Sequence, residues 1–206
     1  MALRSRLFAI SVIALALVPL LEPGTARAQG SPASLDQTGQ VNFEGRATPY
    51  RIRNLPVSSF PDLPSAIAAA LTRRGCIIPQ TYEAKRPENV IHASLERSGS
   101  NDWAVLCSTE GHIALLVFFA NGSPDSPAIL TTSSWQRHLS PHGATGELGF
   151  DWGIDPASPR RIHDAQAAMP HRPPAPDHDA IADTTIDRGT VYHLYRNGAW
   201  EMAPTE

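Results

Sequence analysis

Asn89–Ala120 reads NVIHASLERSGSNDWAVLCSTEGHIALLVFFA. Val90–Glu96, Trp103–Ser108 and Ile113–Ala120 are apolar stretches separated by two polar turns, Arg97–Asp102 and Thr109–Gly111. This is the pattern of a strand meander. Ile113–Ala120 is almost wholly apolar, which predicts a strand buried on both faces. Asn121-Gly122 closes it, and Ala128–Thr132 supplies a further strand.

Upstream, Thr48–Arg53 alternates, with Tyr50 and Ile52 on one face and Arg51 and Arg53 on the other, as in a half-buried strand. The next signal is helical. Leu63, Ile67 and Leu71 recur every fourth residue beside Ala66 and Ala70, after Asp62 as a candidate cap and Pro64 in the first turn. Arg73 and Arg74 suit the C-terminal end of the dipole, and Gly75 suits a left-handed terminator. Downstream the periodicity fades over Trp135–Ile154. Ser158-Pro159 opens a short helix toward Met169, and Pro170–Pro176 reads as an extended connector. Thr190–Tyr195, Asn197-Gly198 and Ala199–Met202 form a hairpin on a type I′ turn. The expectation is an α+β fold: an antiparallel sheet of about five or six strands with the Leu63–Arg74 helix packed on one face.

The N-terminus has a different character. Arg4 and Arg6 precede the apolar run Leu7–Leu21, and Ala26-Arg27-Ala28 gives small residues at −3 and −1 of a cleavage site. A 15-residue helix reaches about 22 Å, short of the ~30 Å hydrocarbon core, so the segment reads as a cleaved export signal rather than an anchor. Residues 1–28 are thus expected to be removed, 29–47 to form a loose leader, and 48–206 to form one domain. Loss of Arg4, Arg6, Arg27 and Glu22 from 17 basic and 20 acidic residues leaves 14 against 19. A mature chain with net charge −5 argues against nucleic acid as a partner. With 42% hydrophobic and 18% charged residues the chain can bury a core, and 19 Pro with 14 Gly indicate a turn-rich one.

Two cysteines, Cys76 and Cys107, suit an oxidising compartment and read as one disulfide stapling the helix end to a central strand. They lack the C-x-x-C spacing of a metal or redox thiol pair.

Asn89–Ser108 resembles one degenerate repeat unit of the FG-GAP or VCBS type. That resemblance implies a propeller-blade segment whose turn binds calcium through Asp and Asn. Glu96, Asn101 and Asp102 are the side chains available, and the D-x-D-x-D-G pattern is absent, against the six to eight oxygens calcium takes. One unit covering roughly 30 residues cannot make a propeller. More widely, GCIIPQ (Gly75–Gln80), DWAVLCS (Asp102–Ser108), LLVF (Leu115–Phe118), HDAI (His178–Ile181) and YRNGAW (Tyr195–Trp200) resemble a group of uncharacterised exported bacterial proteins. This implies export and brings no catalytic residue.

Eight histidines are present: His92, His112, His138, His142, His163, His171, His178 and His193. His171, His178 and Asp179 form the candidate metal set, with His193 as a further neighbour; H-E-x-x-H is absent. His138 and His142 are four apart, but Ser140 and Pro141 argue against a helix there. No G-x-S-x-G nucleophile elbow occurs. These observations point to a periplasmic or secreted, non-catalytic protein with a surface binding role toward an unknown protein or small-molecule ligand. No cofactor and no stable membrane insertion after signal cleavage are expected. Two alternatives stand beside it: a small metal-dependent hydrolase using the His/Asp-rich C-terminal third, and a proteinaceous enzyme inhibitor.

Overall fold

Glu44-Gly45, Glu110-Gly111 and Asn197-Gly198 each pair two consecutive residues with positive φ, between 49° and 85°. Two-residue loops of this kind match the right-handed twist of the strands they join, so each closes a tight hairpin. The protein is described here by a computed structural model covering residues 35–205. The expected export signal, residues 1–28, lies outside the described residues.

The elements in chain order are β1 (Gln37–Phe43), β2 (Arg46–Pro56), α1 (Ser65–Arg73), β3 (Ile77–Gln80), β4 (Val90–Ala93), β5 (Asp102–Thr109), β6 (His112–Phe118) and β7 (Ala128–Ser134). A short 3₁₀ turn, Trp135–His138, leads to β8 (Leu139–His142), β9 (Glu147–Phe150) and β10 (Trp152–Ala157). The chain ends with α2 (Pro159–Ala165), β11 (Ala180–Thr185), β12 (Gly189–Arg196) and β13 (Ala199–Ala203).

This overturns the α+β expectation. Strands hold 47% of the described residues and helices 13%, so the fold is mainly β. There are two sheets rather than one. A nine-stranded sheet runs β7-β6-β5-β3-β2-β9-β8, with β1 paired to β2 and β4 to β5, and β2 and β9 are parallel. A four-stranded antiparallel sheet runs β10-β11-β12-β13. The leader expectation for 29–47 is also corrected: Gln37–Phe43 pairs residue for residue with β2.

Alternation along the strands assigns the layers. On β5, Ala104 and Leu106 enter the core between the sheets, where they meet Phe150, Trp152, Ile154 and Ile181. Trp103, Val105 and Cys107 point the other way, onto Leu63, Ile67 and Leu71 of the α1 segment. β6 divides likewise, with Ile113, Leu115 and Val117 inward and Leu116 and Phe118 toward α1. On the far side, Ala180, Ala182, Tyr192 and Leu194 pack on Ile162 of α2. The order of layers is therefore α1, large sheet, small sheet, α2, with apolar residues on both faces of the inner strands.

The end of α1 follows from its sequence. Gly75 takes φ +70, its N–H bonds Thr72 O at 3.0 Å, and Cys76 N–H bonds Leu71 O at 3.0 Å. That is a Schellman terminator. It delivers Cys76 to β5, where it is disulfide-bonded to Cys107 with Cα atoms 5.2 Å apart. The start of α1 departs from expectation: Pro64 occupies the cap and no side chain, Asp62 included, bonds the first turn. In α2 the Ser158 hydroxyl accepts from Arg161 N–H and Pro159 opens the helix. No helix among the described residues is long and apolar enough to cross a membrane.

Candidate functional site

Where the small sheet's inner face meets β7 and the turn after it, the protein has a cleft of about 570 Å³. Sheet register builds its floor. Asp183 on β11 lies opposite Ile154 of β10 and Val191 of β12, so Trp152 and His193 are its diagonal neighbours on the same face. Both reach it. Trp152 Nε1–H donates to Asp183 Oδ1 at 2.6 Å, and His193 Nε2 lies 3.0 Å from Asp183 Oδ2. Each carboxylate oxygen thus has a partner, and Asp183 holds the His193 ring with its other nitrogen turned away from the pair.

The opposite wall comes from the large sheet. Thr131, Thr132 and Ser133 of β7 line it, followed by Arg137 and His138. The His138 ring stacks on Trp152, with centroids 4.3 Å apart and planes 23° from parallel. Beneath lies Asp151, fully buried, at the residue where the chain passes from β9 in one sheet to β10 in the other. Asp151 N–H bonds His138 O at 3.1 Å, Asp151 O accepts from Ile186 N–H at 2.9 Å, and its Oδ2 accepts from the Ser140 hydroxyl. Its Oδ1 faces His138 Nδ1 at 3.8 Å. Burial pushes His138 below the ordinary histidine pKa, and the Asp151 and Asp183 charges only partly oppose that effect.

The candidate metal set does not assemble. His171 is exposed in the Pro-rich connector. His178 is buried and both ring nitrogens meet protein acceptors, Asp177 Oδ1 at 2.7 Å and Tyr195 O at 2.8 Å. The first of these bonds holds the exposed Asp177 carboxyl below its usual range. Asp179 Oδ2 accepts from Ser94 N–H at 3.1 Å. These contacts dock the connector onto the sheets and do not gather the three side chains around one point. Among the described residues no group of three or more His, Cys, Asp or Glu side chains is placed to hold a metal ion. His193 shares its cleft with His138 and Asp183, not with His178 and Asp179.

The Asn89–Ser108 turn has a structural account too. Asp102 Oδ2 accepts from Leu95 N–H, Glu96 N–H and the Ser100 hydroxyl, and Oδ1 accepts from Ala120 N–H. A carboxylate engaged by four donors organises its turn and has little capacity left for calcium.

A second cavity, about 710 Å³, lies between the loop before α1 and β4–β5, with Phe60, Pro61, Leu63, Pro64, Val90 and Trp103 on its walls. His92 stacks on Trp103 there, at 4.6 Å, and bonds the Asn101 side chain. It is larger, and its polar lining is Ser59, Asp62, His92 and Asn101, without an arginine. The His138–His193 cleft joins charged groups, hydroxyls and fixed imidazoles, the features expected of a recognition site. Both imidazoles belong to the eight histidines of the sequence, but no local pattern brings them together. No family model, curated protein or solved structure significantly matches this chain.

Proposed function

We propose that this is an exported, non-catalytic binding protein whose ligand occupies the cleft between β7 and the small sheet. The observation that carries the reading is the fixed floor: Asp183 held from both sides by Trp152 and His193, on adjacent strands rather than loops. Groups locked in this way need no reordering when a ligand arrives, and such preorganisation favours affinity. The hydrolase alternative rested on His171, His178 and Asp179, and those of the three that are buried or bonded serve the packing of the connector. The disulfide, and the resemblance to exported bacterial proteins, support an extracytoplasmic compartment.

The test is a thermal-shift screen of the mature chain against fractionated small-molecule extract of the producing cells, followed by amide NMR. A binding fraction is expected to move resonances of 131–133 and 189–191. Thr131→Trp, which fills the cleft from a half-buried strand position paired with the inward-facing Leu115, is expected to abolish the response while keeping the fold. Equal response in Thr131→Trp, or shifts centred on Phe60–Pro64 and Trp103, would move the site away from this cleft.

A further inference from the structure

We infer that the cleft's ligand is a small phosphate monoester, its phosphate gripped between Arg137 and Arg188; this rests on the binding reading above. Most of the arginines are engaged elsewhere. Among the described residues, nine hold a carboxylate or a main-chain carbonyl: Arg51, Arg73, Arg97, Arg160, Arg172 and Arg196 pair with acids, and Arg53, Arg74 and Arg161 bond carbonyls. Four have no such partner, and two of these four, Arg137 and Arg188, line the same cleft from different elements.

The acids nearby form no ion pair with them. Asp183 is engaged by Trp152 and His193, and Asp151 lies fully buried under Ser140 and His138. Both guanidinium charges are close enough to oppose protonation of His138. Two unspent guanidiniums lining one cavity offer the planar donor forks that match phosphate oxygens. The Thr131 and Ser133 hydroxyls on the cleft-facing side of β7 can add donors. The cleft is not wholly polar: Val191 and Met202 line it and are 42% and 70% exposed, so the ester's organic part has an apolar surface to cover.

Phenyl phosphate titrated into the full mature chain at low salt, followed by amide NMR, tests this. Saturable shifts at 131–133 and 189–191 are expected, weakening as salt rises. The Arg137→Gln/Arg188→Gln double variant, altered at two exposed positions, is expected to bind at least tenfold more weakly. Phenol is expected to leave these resonances unmoved. Equal binding by the double variant, equal shifts with phenol, or no shift with phenyl phosphate each overturns the inference. An extract fraction that still moves the cleft resonances after such a result would leave the binding reading standing and the phosphate inference refuted; silence with both would remove both. A parallel arm uses phosphatidic acid vesicles. Sedimentation with them that is lost in the double variant places the phosphate on a lipid headgroup, and binding of phenyl phosphate without vesicle binding places it on a free ester. Either result supports the shared chemistry.

Discussion

His138 Nδ1 stands 3.8 Å from Asp151 Oδ1, and neither atom has a hydrogen-bond partner among the described residues. A ring nitrogen and a carboxylate oxygen face each other just beyond bonding distance, out of contact with solvent. Burial holds His138 below the ordinary histidine value of ~6.5, so near neutrality it is uncharged in the folded chain. The sign of the pH effect follows. Below ~6.5 the unfolded chain takes up a proton at this residue that the folded chain refuses, until the pH reaches the depressed folded value. Stability is therefore full above ~6.5 and falls as pH drops through that window, by at most about 1.4 kcal/mol per pH unit for one proton. His138→Phe keeps a ring on Trp152 and removes the titration. Urea denaturation at several values between pH 5 and 8 is expected to give a flatter profile for the variant. Parallel profiles for the two proteins would sink the argument, since the other histidines are common to both.

Gly149 on β9 sits under a stacked pair. Tyr82 and His142 lie with ring centroids 4.8 Å apart and planes 4° from parallel. A Cβ at residue 149 would come within 2.6 Å of Tyr82 Cβ and 2.7 Å of His142 Cδ2. Tyr82 cannot retreat easily, because its N–H bonds Phe150 O at 2.9 Å and its Cβ moves with the main chain. Gly149→Ala is expected to cost about 1–3 kcal/mol through overpacking. Adding His142→Ala should recover only part, as the Tyr82 contact remains. Wild-type stability in the single variant by urea denaturation would refute the steric account.

The strands legible in the sequence are those whose signal is local. β5 and β6 are long apolar runs, the Asn197-Gly198 hairpin announces its own turn, and the α1 face repeats every fourth residue. β8, β9 and β10 are four to six residues each and contain Pro141, Gly149, Gly153 and Pro156, residues that sequence reading takes as breakers. Their strand character comes from partners far along the chain: β9 pairs in parallel with Tyr50 and Arg51 of β2, and β10 with β11 beyond the connector. β1 is polar enough to read as a leader, yet β2 gives it a full antiparallel partner. The cleft was illegible for the same reason. Alternation along β12 puts Val191, His193 and Tyr195 on one face, but that it meets His138 depends on how two sheets face each other.

Asn89 joins the sheets through its side chain. It takes φ +70, and its Nδ2–H₂ donates to Pro79 O at 2.7 Å and Trp152 O at 3.2 Å, while Oδ1 accepts from Ile154 N–H at 2.9 Å. It thus satisfies a carbonyl and an N–H on the open edge of β10, as a neighbouring strand would. Asn89→Ala leaves three buried backbone groups without these partners and is expected to cost at least about 2 kcal/mol. Asn89→Gly separates the two roles of the residue: glycine tolerates the left-handed backbone but makes no side-chain bond. We expect it to be destabilised as well. A glycine variant as stable as wild type in urea would show that only the backbone conformation matters.

Cys76 and Cys107 sit in the layer between α1 and the large sheet, 5% and 4% exposed, among Leu71, Ile78 and Val105. The Schellman terminator at Gly75 already fixes the helix end through two backbone bonds, so the disulfide is not needed to stop α1. Its contribution is to the chain as a whole. The bond closes a loop with a sequence separation of 31, and restricting the unfolded chain to that extent is worth about 3–4 kcal/mol on the chain-entropy account. The loop holds β3, β4 and most of β5, so the restricted segment is the one that must find the non-local β3–β5 and β2–β3 pairings. Cys76→Ala/Cys107→Ala removes the link without introducing a buried hydroxyl. We expect an unchanged far-ultraviolet circular dichroism spectrum at 25 °C, a denaturation midpoint lowered by an amount equivalent to about 3–4 kcal/mol, and retained phenyl phosphate binding, because the cleft lies on the other side of the large sheet from the disulfide. A double variant as stable as the oxidised protein would show that the unfolded chain is already restricted without the bond. Loss of binding in a variant that remains folded would show that the layer beneath α1 is coupled to the cleft.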